Sequence, residues 1–246
     1  MRSLTCFILL ALSTWLPAQE DGSTTREVYL RLLSFDTQSA PDKSFAFDPK
    51  ASDGQPGVEA PIKTYLNHHG TMVKLSGNAL VFSSSDKPED AKKPEMQLAS
   101  VNLPAKGKAF ILIFLPVGDS KFKVLPLSDS VKDFPLGAIQ VISLSKTPIK
   151  LTLEKKAFDI KPGAVIMIED PPVGENKQSS MFAYAFGDGR WKRFDSGQWP
   201  PPGENKRLIQ IFFDNPVTNR MKLRGFRDIS PLASGNALEP QEITVP

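Results

Sequence analysis

Residues 187–202 read GDGRWKRFDSGQWPPP, and they gather side chains suited to gripping a ligand. Trp191, Phe194 and Trp199 lie among Arg190, Lys192, Arg193 and Asp195. Indole faces stack on sugar rings, and arginine beside aromatic residues grips a peptide or a polymer. Trp191, Trp199, Arg190, Arg193 and Asp195 are therefore the candidate binding residues. A structural reading competes with this one: Trp191 and Phe194 cover the end of a β domain, and Trp199 packs on prolines 200–202. A proline run donates no amide hydrogens and cannot continue a central strand. Residues 195–203 are accordingly expected to form a surface connection, with Trp199 the more exposed of the two tryptophans.

Catalytic chemistry finds less footing. The chain has no G-x-S-x-G elbow, no phosphate-binding G-x-x-x-x-G-K-[ST] and no H-E-x-x-H. Gly187-Asp188-Gly189 begins like a dinucleotide fingerprint, but Arg190-Trp191-Lys192 follows, so it reads as a hairpin turn. His68 and His69 are adjacent; on a strand such neighbours point to opposite faces and cannot readily clasp one metal, so a solvated turn is expected there. A glycosidase-like carboxylate pair would need two acids about 5–10 Å apart in a cleft, a distance that spacing along the chain does not set. No catalytic residue, cofactor or metal ligand is assigned, and the protein is read as a non-enzyme.

Charge and targeting narrow the partners. Residues 1–18 have a basic start at Arg2, an apolar run from Leu4 to Leu16 and a small residue before Gln19, as in a secretory signal peptide. An uncleaved anchor is the competing reading. The apolar run is short for a bilayer, which takes about 20 residues. The one cysteine, Cys6, lies inside it, so a cleaved chain has no disulfides or thiol nucleophiles. Cleavage also removes one arginine, leaving 29 − 27 = +2. That balance argues against nucleic acid as a partner. No later apolar run reaches spanning length. The expectation is a secreted or periplasmic protein, with a protein or polysaccharide partner at the cell envelope; its oligomeric state is left open.

The elements that position these residues are short. The 22 prolines and 16 glycines punctuate brief apolar runs, which suits strands and turns. Ala109-Phe-Ile-Leu-Ile-Phe114 is apolar throughout, as in a strand buried on both faces. Lys150-Leu-Thr-Leu-Glu154 alternates, so one of its faces should meet water. The chain also shows an internal repeat. Pro61-Ile62-Lys63 matches Pro148-Ile149-Lys150, and the apolar run after Gly77 matches that after Gly163. Lys108–Phe114 matches Lys206–Phe212, Lys121–Val124 matches Arg220–Leu223, and Val28–Phe35 matches Ala138–Leu144. The pattern predicts an all-β protein of two tandem antiparallel β-sandwich domains, immunoglobulin-like in architecture. The expected division is a signal at 1–18, a first repeat at 19–130, a second at 137–230 and a tail at 231–246, with residues 128–137 as the junction. Residues 36–60 and 83–95 read as solvated loops.

Ser143-Leu-Ser-Lys-Thr-Pro-Ile149 followed by Lys161-Pro162-Gly163 resembles repeats of uncharacterised secreted tandem β-sandwich proteins of bacteria. The resemblance covers about thirty residues, and the first repeat departs from it, with Ser76-Gly77 in place of Pro162-Gly163. It implies export and a sandwich and transfers no site. The functional expectation is an exported, non-catalytic binding or structural module, with a cell-envelope assembly as one setting for it. The alternatives are a carbohydrate-binding module using Trp191 and Trp199, or a carboxylate-dependent glycoside hydrolase.

Overall fold

The computed structural model describes residues 25–229 except 52, 53, 119, 201, 202 and 204; the expected signal and C-terminal tail lie outside the described residues. The described chain is all-β. Its first half contains β1 (Arg26–Ser34), β2 (Phe45–Phe47), β3 (Val58–Glu59), β4 (Ile62–Lys63), β5 (Thr71–Leu75), β6 (Ala79–Ser83), the single turn α1 (Pro88–Ala91), β7 (Gln97–Asn102), β8 (Ala109–Gly118) and β9 (Lys121–Ser128). Its second half contains β10 (Ile139–Ser143), β11 (Ile149–Leu153), β12 (Lys156–Ile160), β13 (Val165–Ile168), β14 (Ser179–Gly187), β15 (Arg190–Trp199), β16 (Lys206–Asp214) and β17 (Met221–Ile229).

These strands form four sheets. Sheet I has β1 at its centre, paired with β4, β5 and β8, and β9 beyond β8; sheet II runs β3-β2-β6-β7. Sheet III runs β13-β10-β16-β17 and sheet IV runs β12-β11-β14-β15. Most pairs are antiparallel, but β1 lies parallel to β8 and β10 parallel to β16, so the inner sheets are mixed rather than purely antiparallel as the sequence suggests.

Pairing order and sense repeat between the halves: β10, β16, β17 and β13 take the places of β1, β8, β9 and β5, while β11, β12, β14 and β15 take those of β2, β3, β6 and β7. This corrects part of the sequence alignment. Ile62-Lys63 forms β4, a strand without a counterpart, whereas Ile149-Lys150 opens β11, the counterpart of β2. The run after Gly77 is β6, but the run after Gly163 is β13, the counterpart of β5. Short apolar strands resemble one another whatever their place in a sheet, so identity of type misled where loops differ in length. The matches of β1 with β10, β8 with β16 and β9 with β17 keep the same neighbours. The segment read as a solvated loop, 36–60, contributes β2 and β3, and Ala46 and Phe47 of β2 are buried.

Three apolar layers lie between the four sheets. Leu30 and Leu112 of sheet I meet Phe82 and Ala46 of sheet II; Val141 and Phe212 of sheet III meet Leu151 and Met181 of sheet IV. The third layer joins the halves, with Leu33, Ile111 and Ile113 of sheet I against Ile142, Ile209 and Ile211 of sheet III. Alternation along each strand serves both faces. In β8, Phe110, Leu112 and Phe114 point one way and Ile111 and Ile113 the other, which explains the uninterrupted apolar run.

At one end of the middle layer four charges are buried together. Arg31 of β1 donates from Nε to Asp129 at 2.7 Å and from Nη2 to both Asp129 at 2.6 Å and Asp228 at 2.7 Å, while its Nη1 reaches Asp228 at 2.7 Å. Arg207 of β16 donates Nε to Asp228 at 2.9 Å and Nη2 to Asp129. Each cation thus meets both carboxylates, and the cluster is neutral. The two aspartates occupy equivalent places, 228 − 129 = 99 residues apart, the offset of the β9 and β17 match. The arginines come from non-equivalent strands.

The surrounding backbone completes the cluster. Arg31 Nη1 also donates to the Leu66 carbonyl at 2.8 Å, and Arg207 Nη1 to the Phe134 carbonyl at 2.8 Å, with its guanidinium 4.5 Å from the Phe134 ring centre. The junction is therefore packed, not loose: Asp129 and Phe134 are buried within it. The loop bearing Leu66 is held by the Gly70 amide, which donates to the Tyr29 hydroxyl at 2.6 Å, and by Asn67 Oδ1, which accepts from the Ile229 amide at 2.9 Å. A Cβ at Gly70 would overlap the Leu30 carbonyl.

Burial raises the cost of ionising Asp228, but hydrogen bonds and charge from Arg31, then Arg207, outweigh it and hold the carboxyl below its ordinary range. Its contribution to stability is present above the ordinary aspartate value, about 3.9, and is lost as pH falls through the folded-state value. Asp228→Asn would leave two buried cations facing one carboxylate and is expected to cost about 3–5 kcal/mol in urea unfolding at neutral pH. It should also shallow the acid limb of the stability curve. An unchanged midpoint and limb would remove the cluster from this role.

His68 is half-buried rather than solvated; its Nδ1–H donates to the His69 carbonyl at 2.8 Å, and its Nε2 is buried without a partner among the described residues. Burial, then repulsion from Arg31 and Lys63, lowers its pKa. Its stability contribution is complete above the ordinary histidine value, about 6.5, and declines as pH falls toward the folded-state value. His68→Gln should flatten the melting temperature profile between about pH 7 and 5, where wild type declines. Parallel profiles for the two proteins would exclude His68 as the cause.

Candidate functional site

The β14–β15 hairpin carries every residue of the sequence-derived site, and strand alternation divides them. Asp188 and Gly189 form its turn, both with positive φ (52° and 72°), which suits a tight hairpin connection. Residues of β14 and β11 that face the core are Met181, Ala183, Leu151 and Leu153. The opposite face follows from the register: Lys150 pairs with Tyr184 and Tyr184 with Arg193, Thr152 pairs with Phe182 and Phe182 with Ser196, and Phe186 pairs with Trp191.

Trp191 and Arg193 share that outer face. Trp199 does not: it is 5% exposed and belongs to the layer between sheets III and IV. The surface connection expected over 195–203 is strand as far as Trp199, so the order of exposure is the reverse of the sequence expectation, with Trp191 at 38%. The prolines do end the strand, but Trp199 pairs with Ser179 before they begin, and that register sends the indole inward. Asp195, opposite Ala183, lines a cavity of about 320 Å³ between β15 and β17, together with Leu223, Gly225 and Arg227. Arg190 lies beside the hairpin turn, opposite Gly187. Phe194 falls at a bulge between the Tyr184 and Ala183 pairs and packs inward, 5.8 Å from the Phe212 ring.

The outer face adds residues that the sequence reading missed. Phe182, Tyr184 and Phe186 follow one another at every second position of β14. The signal was present as F-A-Y-A-F, with aromatic residues alternating with alanine, the pattern of a strand whose aromatic face is opposed to a small-residue face. Phe186 is 42% exposed, and its ring meets Trp191 edge to face at 5.2 Å. Cations flank the row: Lys150 Nζ lies 4.7 Å from the Trp191 ring centre, and the Arg193 guanidinium 5.8 Å from that of Phe182. Lys150 has a loose, exposed contact with Asp159 at 3.9 Å. Lys192, facing away, pairs with Asp188.

Other arrangements offer less chemistry. The two carboxylates that do converge, Asp129 and Asp228, are almost fully buried and bound to both arginines, so they hold no water or substrate. No group of three His, Cys, Asp or Glu side chains that would suit a metal occurs among the described residues. A cavity of about 480 Å³ lies between the β2–β3 loop, β5 and α1 of the first half, where Val58 and Met72 are partly exposed.

No protein-family model matches the chain, and no curated protein matches it. The geometry therefore carries the functional reading alone.

The two tryptophans are expected to separate experimentally. Trp199→Ala opens a cavity in the layer between sheets III and IV and should cost about 3–5 kcal/mol. Trp191→Ala, on the open face, should stay within about 1 kcal/mol of wild type. Acrylamide quenching of the two variants, made in a chain without residues 1–18 and so without Trp15, should show one accessible and one shielded indole. Equal accessibility, or equal loss of stability, would contradict this assignment.

Proposed function

We propose that this protein is an exported, non-catalytic binding module of two tandem immunoglobulin-like β-sandwiches, which engages a partner at the cell envelope through the outer face of sheet IV. The single observation that carries the reading is the row Phe182, Tyr184, Phe186 and Trp191 on that face, with Phe186 and Trp191 exposed and Phe182 and Tyr184 half-buried. Exposed aromatic patches flanked by charge are typical of recognition surfaces. Export rests on the character of residues 1–18 alone.

The contrast with sheet II supports the choice of face. The outer side of sheet II, around Phe47 and Val81, is overlaid by α1 and by the loop through Gly57, at which a Cβ would press into the Phe47 ring. The two corresponding hairpins of sheet IV are tight, with β11 and β12 joined at Glu154 and Lys155 and β14 and β15 at Asp188 and Gly189, where sheet II has long connections between β2 and β3 and between β6 and β7. A carbohydrate ligand would meet Trp191 with the β14 aromatics on this face, not Trp199, which is buried between sheets III and IV.

Co-sedimentation of the purified protein with isolated cell walls and insoluble polysaccharides tests the reading. The double variant Phe186→Ala/Trp191→Ala, folded by circular dichroism, is expected to lose about tenfold or more in binding, as two stacking contacts imply. Binding that persists undiminished in the double variant would falsify the sheet IV assignment.

A further inference from the structure

The geometry points to an anionic polysaccharide as the ligand of the sheet IV face, with sugar rings on the aromatic row and a carboxylate on Arg193. The inference rests on the sheet IV reading and specifies its ligand class.

The aromatic row provides the first half of the recognition. Alternate positions on a strand lie about 7 Å apart, so Phe182, Tyr184 and Phe186 span a strip long enough for more than one sugar ring. The adjoining Trp191 widens the strip onto β15. Aromatic surface with polar groups at its margin fits a sugar, which has an apolar C–H face and a hydroxylated edge.

Charge provides the second half. Lys150 and Arg193 stand on opposite sides of Tyr184, as direct cross-strand neighbours. Asp159 sits beside Lys150, on the side away from Arg193. Arg193 is exposed and close to the Phe182 ring, with no carboxylate within ion-pair distance among the described residues. A guanidinium held beside an aromatic ring and free to accept a partner suits a carboxylate, which it binds through two parallel N–H donors.

An acidic peptide would supply the same charge, but the strand edge is poorly built for one. Peptides commonly recognise sheets by adding a strand, and β15 is the edge of sheet IV. Its ladder is broken by the bulge at Phe194, and it carries Arg190, Lys192 and Arg193 in succession, features that disfavour edge pairing. A polymer lying across the face uses the aromatic row without needing that edge.

The full chain should be titrated calorimetrically with polygalacturonate, a neutral glucan and poly-glutamate of matched charge, using wild type, Arg193→Gln and Phe186→Ala/Trp191→Ala, each checked for folding by its thermal melt. Polygalacturonate is expected to bind at least about tenfold more tightly than either other polymer, to weaken about tenfold in Arg193→Gln, and to be lost in the aromatic double variant. Equal binding of poly-glutamate would overturn the inference in favour of an acidic peptide or charge alone. Equal binding of the glucan, unaffected by Arg193→Gln but lost in the aromatic variant, would overturn the anionic class while leaving the sheet IV reading intact. Binding of none of the three would overturn the ligand class, and the cell-wall co-sedimentation would then decide the face independently.

Discussion

Arg31, Asp129, Arg207 and Asp228 fix how the two halves meet. Oily layers such as that of Ile111, Ile113, Ile209 and Ile211 tolerate sliding, because dispersion and burial change little with small shifts. Buried charges do not. Displacing one inner sheet past the other would part a guanidinium from its carboxylates in a place where water cannot replace them, at a cost of several kcal/mol. The cluster couples four separate pieces of chain: β1, the end of β9, β16 and β17. It also draws in the Leu66 loop and the junction at Phe134, so connections that look independent in the chain are held by one set of hydrogen bonds.

This arrangement has a consequence for where recognition can occur. The central strands of sheets I and III, β1 with β8 and β10 with β16, are buried on both faces, so their side chains are committed to packing. Open faces belong to sheets II and IV. The first half spends its long connections on covering sheet II, through α1 and the loop at Gly57. The second half has two-residue turns at the corresponding hairpins of sheet IV, and Phe186 and Trp191 stay at the surface. A repeated pairing scheme thus yields two chemically different outer surfaces, and the difference arises from loop length rather than from the strands themselves.

Edge closure differs as well. In the first half β7 and β9 approach each other closely and close the layer between sheets I and II, while β15 and β17 meet more loosely beside the cavity lined by Asp195 and Arg227. Gly225 faces that gap, with the Gln210 amide filling the place of a side chain. The bulge at Phe194 lets one more aromatic ring turn inward near this edge and meet Phe212.

The sequence by itself determined the all-β class, the buried character of β8, the alternation of β11 and the hairpin turn at Asp188-Gly189. These depend on periodicity and backbone preference within a few residues, which the chain carries locally. It also carried the aromatic alternation of β14, in the run Phe182-Ala-Tyr-Ala-Phe186. Tertiary structure alone decided the rest. Pro61-Ile62-Lys63 and Pro148-Ile149-Lys150 are alike in type but occupy different places, because a strand's neighbours are chosen by long-range pairing. Trp199 went inward and Trp191 outward because register against β14 assigns each residue to a face, and a single bulge reassigns those beyond it. Asp129 sits in a polar segment that reads as a linker; only the approach of Arg31 and Arg207, respectively 98 and 78 residues away, makes it part of the core.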